Sequence, residues 1–208
     1  SGLGVMKIAV LGAGAWGSAL AISLSTRHQI HLWTKDPDHA IEMDRQRINQ
    51  AFLPGHSLPE SLKITATLDG ALEDVNLALI VVPVAGLRDT LRAIVACNIK
   101  VPVIWGCKGF ESGTTYLPHQ IAAEEFSGRL PPCGVLSGPS FAEEVAQGLP
   151  TALTLASKDI DFANKMAAEL HSARLRIYTS EDVVGVETGG AVKNVITIAA
   201  GISDGIGF

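Results

Sequence analysis

The sequence predicts an α/β protein built on a doubly wound sheet with helices packed on it. Three observations lead there. Short β-rich runs alternate with helical patterns along nearly the whole chain, as a parallel sheet covered by helices requires. Runs such as "LALIVV" (77–82) are continuously apolar, which suits strands buried on both faces. The first of these runs leads directly into the glycine string "LGAGAWG" (11–17) at the head of a helical pattern.

In chain order, strands are expected near 7–12, 29–33, 61–65, 77–82, 101–105, 133–137, 151–156 and 174–179. Helical patterns fill 15–27, 37–50, 84–96, 114–126, 139–147 and 159–171, with Pro37, Pro139 and Asp159 where helix starts are expected. There is no internal repeat and no low-complexity linker. The composition shifts only near residue 185, where a Gly/Ala-rich tail begins, so the domain division expected is 1–185 and 186–208.

Composition narrows the partners. The chain has 208 residues, 47% of them hydrophobic and 18% charged, with a net charge of −5; that is enough for one well-cored domain and part of a second. Mild acidity without any Lys/Arg run argues against a nucleic-acid or anionic-membrane surface. The three cysteines show no CxxC spacing, so neither a zinc knuckle nor a disulfide framework is expected, and free thiols fit a reducing cytoplasm. The six histidines form no ligand pattern, so no metal is expected. No apolar run reaches the ~20 residues of a membrane span.

The chemistry-bearing motifs cluster at strand ends. Gly12, Gly14 and Gly17 form a G-x-G-x-x-G directly after a strand. The first makes the tight turn, the second lets the backbone approach a pyrophosphate, and the third lets helix and strand pack closely. The helix start adds free N–H groups and a positive dipole. The second strand runs into Thr34, Lys35 and Asp36 at the position that reads the adenine ribose. A hydroxyl and a cation there suit a 2′-phosphate, hence NADPH before NADH; the alternative is a solvated Lys35 with Asp36 reading the ribose. Pro83 follows a buried strand, and Lys108 follows "VIWGC", both at the carboxyl edge where open α/β sheets bind ligands. Ser137-Gly138-Pro139 opens a helical pattern that could hold an anion or a carboxamide, or serve only as a cap. In the tail, Lys193 is the one cation among small and apolar residues. On a helix it shares a face with Thr197, with Gly189 and Gly190 a turn earlier and Gly201 a turn later. Burial lowers a lysine's pKa from ~10.4 towards the range useful for proton transfer, and the neighbouring Asn194 can hold a substrate hydroxyl or carbonyl.

Taken together, "GAGAWGSALA", "NQAFLPGHSLP", "WGCKGFE", "SGPSFAEEVAQGLPTA" and "GGAVKNVITIAAGISDGIGF" resemble the bacterial type of NAD(P)-dependent glycerol-3-phosphate dehydrogenase. The resemblance spans the chain. It implies a Rossmann-type sheet followed by the first helix or helices of a truncated all-helical second domain. It also implies hydride transfer between nicotinamide C4 and C2 of dihydroxyacetone phosphate, giving sn-glycerol 3-phosphate for phospholipid synthesis. By the same resemblance Lys193 is the general acid/base, Lys108 touches substrate and cofactor, and Gly138 and Ser140 face the substrate. Ala15, Trp16, Lys35 and Ala142 line the cofactor. The family often has Ser and Tyr or Phe at the positions of Ala15 and Trp16, which leaves the Ala15 contact to its backbone N–H. Family members continue through a second domain that completes the substrate site, so the chain is expected to be an N-terminal fragment that binds cofactor without turnover. Its apolar tail would then leave an exposed patch or pair with a second copy as a homodimer. Two rival readings are a 6-phosphogluconate or ketopantoate reductase type, against which "SGPSFAEE" speaks, and a dinucleotide sensor without chemistry, against which the Lys193-Asn194 pair speaks.

Overall fold

In "KIAVL" four successive residues, Ile8 to Leu11, are wholly enclosed, so this run can only be a central strand. The computed structural model describes residues 4–138, 141–189 and 197–198. In chain order the elements are β1 (Lys7–Leu11), α1 (Ala15–Leu24), β2 (Gln29–Trp33), α2 (Pro37–Gln46), β3 (Ile48–Asn49), β4 (Leu53–Ser57), β5 (Lys63–Thr65), α3 (Leu68–Leu72) and β6 (Leu77–Ile80). They continue with α4 (Val84–Ala96), β7 (Val103–Trp105), α5 (Pro118–Glu125), β8 (Cys133–Ser137), α6 (Ala142–Gln147), β9 (Thr151–Ala156), α7 (Ile160–Leu170), β10 (Leu175–Ser180), α8 (Val183–Thr188) and β11 (Thr197–Ile198).

The main sheet has the order β11-β10-β9-β8-β7-β6-β1-β2-β5. From β1 the chain moves outward through β2 to β5, then crosses back to pair β6 with the other side of β1. That reversal makes the carboxyl ends of β1 and β6 the switch point of the sheet, where a crevice opens between diverging helices. Alternate residues of each central strand serve opposite cores. Ile8, Val10, Leu77 and Leu79 pack with α1 and α7, whereas Ala9, Leu11, Ala78 and Ile80 pack with α4, α5 and α8. The sheet is thus doubly wound.

Several expectations need correction. The sheet is mixed, not wholly parallel: β9 runs antiparallel to β8, and β11 antiparallel to β10. A reversed strand keeps its hydrogen bonds and its inward side chains, so the apolar pattern does not reveal its direction. The helix expected over 37–50 stops at Gln46, because Arg47 takes φ +56° and its guanidinium donates to the Leu62 carbonyl at 2.6 Å. A hairpin, β3–β4, follows where helix was expected. The helix expected over 114–126 begins only at Pro118, which supplies its preset φ at the first position. The helix expected from 139 begins at Ala142. Pro139 and Ser140 lie outside the described residues. So do Lys193, Asn194 and Gly201; of the tail, Thr197–Ile198 form a short strand against Tyr178 and Thr179 where helix was expected. Both residues are β-branched, which favours extended pairing with an available edge.

One ion-pair cluster fixes the α4–α5 face. Arg88 on α4 donates twice to Glu111, at 2.9 Å each, and also to Glu124 and Glu125 at 2.7 Å, while Arg92 donates to Glu125 at 3.0 Å. The Arg88 bonds, with help from Thr114, hold the Glu111 carboxyl down to about 2. A carboxylate with a depressed folded pKa adds stability above its ordinary value of 4.5, and that stability is lost as pH falls towards 2. Thermal melts should therefore drop across this window, and Glu111→Gln should flatten the drop. Parallel curves for the variant and the wild type would show that the cluster does not govern acid stability.

Candidate active site

The glycine turn is built by crowding on one side and openness on the other. Gly12 has φ +120° and donates its N–H to the Trp33 carbonyl at 2.9 Å; a Cβ there would collide with the Val81 carbonyl oxygen. A Cβ on Gly17 would collide with the Gly12 carbonyl, so α1 lies tight against the turn. Around Gly14 the reverse holds, since a Cβ there would meet nothing within 4 Å. Gly14 is the N-cap of α1, has no capping side chain, and no acidic residue follows it in the first turn. By contrast α2, α7 and α8 are capped by the carboxylates of Asp36, Asp159 and Asp182. A ten-residue helix with no capping side chain at Gly14 and no acid in its first turn, at the switch point of the sheet, is a ready anion site. The residues present fit a dinucleotide pyrophosphate.

At the end of β2 the structure separates three neighbours by role. Thr34 is buried, and its hydroxyl accepts from the Asp36 N–H at 3.3 Å. The Asp36 carboxylate caps α2, accepting from Asp38 N–H at 3.0 Å and His39 N–H at 3.4 Å. Lys35 is exposed and makes no ion pair among the described residues. Asp36 caps α2 through its Oδ1, Thr34 bonds within the loop, and Lys35 stands exposed beside them.

Pro83 is the N-cap of α4, directly beyond β6 at the same edge, and this helix too starts without a capping side chain or an early acid. Beyond β7, Gly106 and Cys107 lead to an exposed Lys108. The Trp16 ring on α1 lies beside Gly106, with Cζ3 3.8 Å from where a Cβ would stand, so the glycine turn and the Lys108 loop are neighbours. Burial pushes the Cys107 thiol up to about 12, so it is a filler beneath the loop and no nucleophile.

The Lys108 loop is held from below by residues that the sequence reading did not single out. Gly109 N–H donates to the Glu187 carbonyl oxygen at 3.1 Å. The Glu187 side chain is fully buried and accepts from Trp105 Nε1 at 2.7 Å and pairs with His119 Nδ1 at 2.5 Å. Desolvation raises the Glu187 pKa, and the bonds from His119 and Trp105 oppose that rise. A lone carboxylate in "VVGVETGG" was as odd as the lone Lys193, and the same argument applied to it would have flagged it. Asn49, also fully buried, was hidden because its segment was read as helix.

The segment after β8 is shaped by its packing. Gly138, at the end of β8, faces β9: a Cβ would stand 2.6 Å from Leu153 Cδ2 and 2.8 Å from the Ala152 carbonyl. This packing by itself requires a glycine there. The helix start expected at Pro139, to hold an anion or a carboxamide or to serve only as a cap, is found at Ala142, where a six-residue helix carries Glu143 and Glu144 in its first turn, a charge arrangement that disfavours an anion. Ala142 itself is half-buried and, like Trp16, packs on the core beneath α1. Among the described residues, no group of three or more His, Cys, Asp or Glu could hold a metal ion, and no helix is long and apolar enough to cross a membrane.

A family model described as the N-terminus of NAD-dependent glycerol-3-phosphate dehydrogenase matches residues 7–163. The chain belongs to this family. The companion model for the family's C-terminus matches residues 182–208. A glycerol-3-phosphate dehydrogenase [NAD(P)+] of Nitrosospira multiformis is 62% identical over 207 residues, covering 98% of this chain and 62% of the relative. The same-named protein of Dechloromonas aromatica is 50% identical over 203 residues, covering 98% and 61%. The chain thus spans about three fifths of the length of the curated relatives it matches. A crystal structure of glycerol-3-phosphate dehydrogenase from Coxiella burnetii is similar at TM-score 0.81 and 38% identity, covering 88% of this chain and 56% of that one. A UDP-D-ManNAc dehydrogenase from Pyrococcus horikoshii shares the fold at TM-score 0.68 with 18% identity, covering 89% and 49%.

Proposed function

We propose that this chain supplies the cofactor half of an oxidoreductase that reduces dihydroxyacetone phosphate to sn-glycerol 3-phosphate with a nicotinamide dinucleotide, for phospholipid synthesis. The observation that carries the reading is the uncapped, acid-free start of α1 behind an open Gly14 at the sheet's switch point. Its membership of the glycerol-3-phosphate dehydrogenase family supports the substrate. Residues 1–185 act as the dinucleotide-binding domain and 186–208 open the substrate domain, a division supported by family matches that end at 163 and resume at 182. Three free cysteines support a reducing, cytoplasmic setting.

In this reading the turn at Gly12, Gly14 and Gly17, with the first N–H groups of Ala15 and Trp16, would hold the pyrophosphate, and Lys35 would hold a 2′-phosphate. Pro83 and Ala142 border the cofactor. A nicotinamide dinucleotide held by these residues would supply the hydride for the ketone carbon. Lys193 gives the proton to the C2 oxygen as charge develops on it. Lys108 orients the substrate against the cofactor, Ser140 and Asn194 bond its oxygens, and Gly138 borders it.

Titration with NADPH and NADH tests the reading. The wild-type chain should favour NADPH by about 1.5–3 kcal/mol through the charge-assisted contact at Lys35. Lys35→Ala should remove that preference and leave NADH affinity unchanged. Equal affinities in the wild type would remove the NADPH preference, and binding of neither cofactor would remove the function.

A further inference from the structure

The glycine turn does not orient itself. Asn49, on β3 and fully buried, donates from Nδ2 to the Ala13 carbonyl at 2.9 Å and to the Ser18 hydroxyl at 2.8 Å. Its Oδ1 accepts from Phe52 N–H at 3.3 Å and from His39 Nε2 at 3.0 Å. Both amide hydrogens and both acceptor positions are used, and the donor facing Ala13 O and the acceptor facing Phe52 N–H fix which end is nitrogen. The bond to His39 in turn requires the tautomer that carries hydrogen on Nε2.

In a planar trans peptide the carbonyl and the N–H point in opposite directions. The Ala13 carbonyl and the Gly14 N–H belong to one such peptide. Held inward by Asn49, the carbonyl turns the Gly14 N–H outward, and that N–H donates to no acceptor among the described residues. We propose that Asn49 is the positioning residue for the pyrophosphate: it aims the Gly14 N–H at the ligand. Through His39, on the helix that follows Lys35, it also sets the spacing between the glycine turn and the ribose loop. A side chain kept only for packing would not need to be a fully satisfied amide, since an apolar residue of similar volume fills such a space without a desolvation cost.

The inference rests on the dinucleotide reading above, and the test separates the two. Asn49→Asp keeps the shape and the acceptor side but removes both donors. Asn49→Ala removes them without placing a charge beside the Ala13 carbonyl, which covers the case in which the aspartate does not fold. Ser18→Ala keeps the Ala13 bond and is the control. Each folded variant is titrated with NADPH and with adenosine 2′-monophosphate, which carries the 2′-phosphate but no pyrophosphate. Loss of an aimed N–H to an anion should weaken NADPH about tenfold or more in both Asn49 variants, with 2′-monophosphate affinity and the Ser18→Ala titrations within about twofold of wild type. Unchanged NADPH affinity in the Asn49 variants, or equal weakening of both ligands, would overturn the positioning role. Failure of the wild-type chain to bind NADPH would instead sink the dinucleotide reading beneath it.

Discussion

Lys193→Ala should lower the rate of dihydroxyacetone phosphate reduction by roughly 10²–10⁴ while cofactor affinity stays nearly unchanged. Hydride arriving at the ketone carbon leaves negative charge on its oxygen, and a proton must meet it there. Lys193 is the one cation between Glu187 and Phe208, and the function proposed above gives it that proton to donate. The loss should fall on kcat, because the proton is needed as charge develops and not when substrate binds. In the wild type the reduction rate should decline as pH rises through the lysine's pKa, and the variant should lack that limb. The measurement belongs in a protein of the relatives' full length, since the chain covers 61–62% of them. Turnover close to wild type, with the pH limb retained, would assign the proton to another group.

Gly12→Ala should remove dinucleotide binding and destabilise the fold together. The residue sits at φ +120°, where an alanine is strained, and its Cβ would run into the Val81 carbonyl oxygen. That oxygen cannot move freely, because Val81 N–H is bonded to the Leu11 carbonyl at 2.7 Å across the central strand pair. Backbone strain and overpacking cost about 1–3 kcal/mol each, so a combined loss of about 2–6 kcal/mol is expected. For a chain of this size that lowers the melting temperature by at least about 4 °C. Any folded fraction should also lose affinity for NADPH, since the turn must open for the new methyl group. A variant that melts and binds like the wild type would show that the turn is not the crowded element described here.

How much of this was legible depended on how far away the deciding partner lay. Gly12, Gly14 and Gly17 could be read because a turn, a close approach and a helix start are local demands. Pro37 and Asp159 were legible as helix starts for the same reason. Asn49 was not, because its partners Ala13 and Ser18 lie 36 and 31 residues earlier. Glu187 could be flagged as a lone carboxylate in an apolar run, but its partners His119 and Trp105, 68 and 82 residues away, could not be named. Asp36 is instructive in a different way. Its sequence position allowed it to read a ribose or to cap a helix, and the hydrogen bonds to Asp38 and His39 show that its Oδ1 does cap one.

By itself the sequence determined the strand–helix alternation, the buried central strands and the glycine turn, because periodicity and local backbone chemistry act within a few residues. It also carried the family membership, through motifs spread from the first strand to the tail. Tertiary structure alone decided the reversal of β9, the end of α2 at Arg47, and the hairpin that brings Asn49 under the glycine turn. It alone decided that Gly138 packs closely against β9 and that Glu187 holds the Lys108 loop. Strand direction and buried hydrogen bonds depend on which groups meet across the fold. A polar side chain removed from water must find its partner wherever the chain has carried it, and that location is not written in its neighbours.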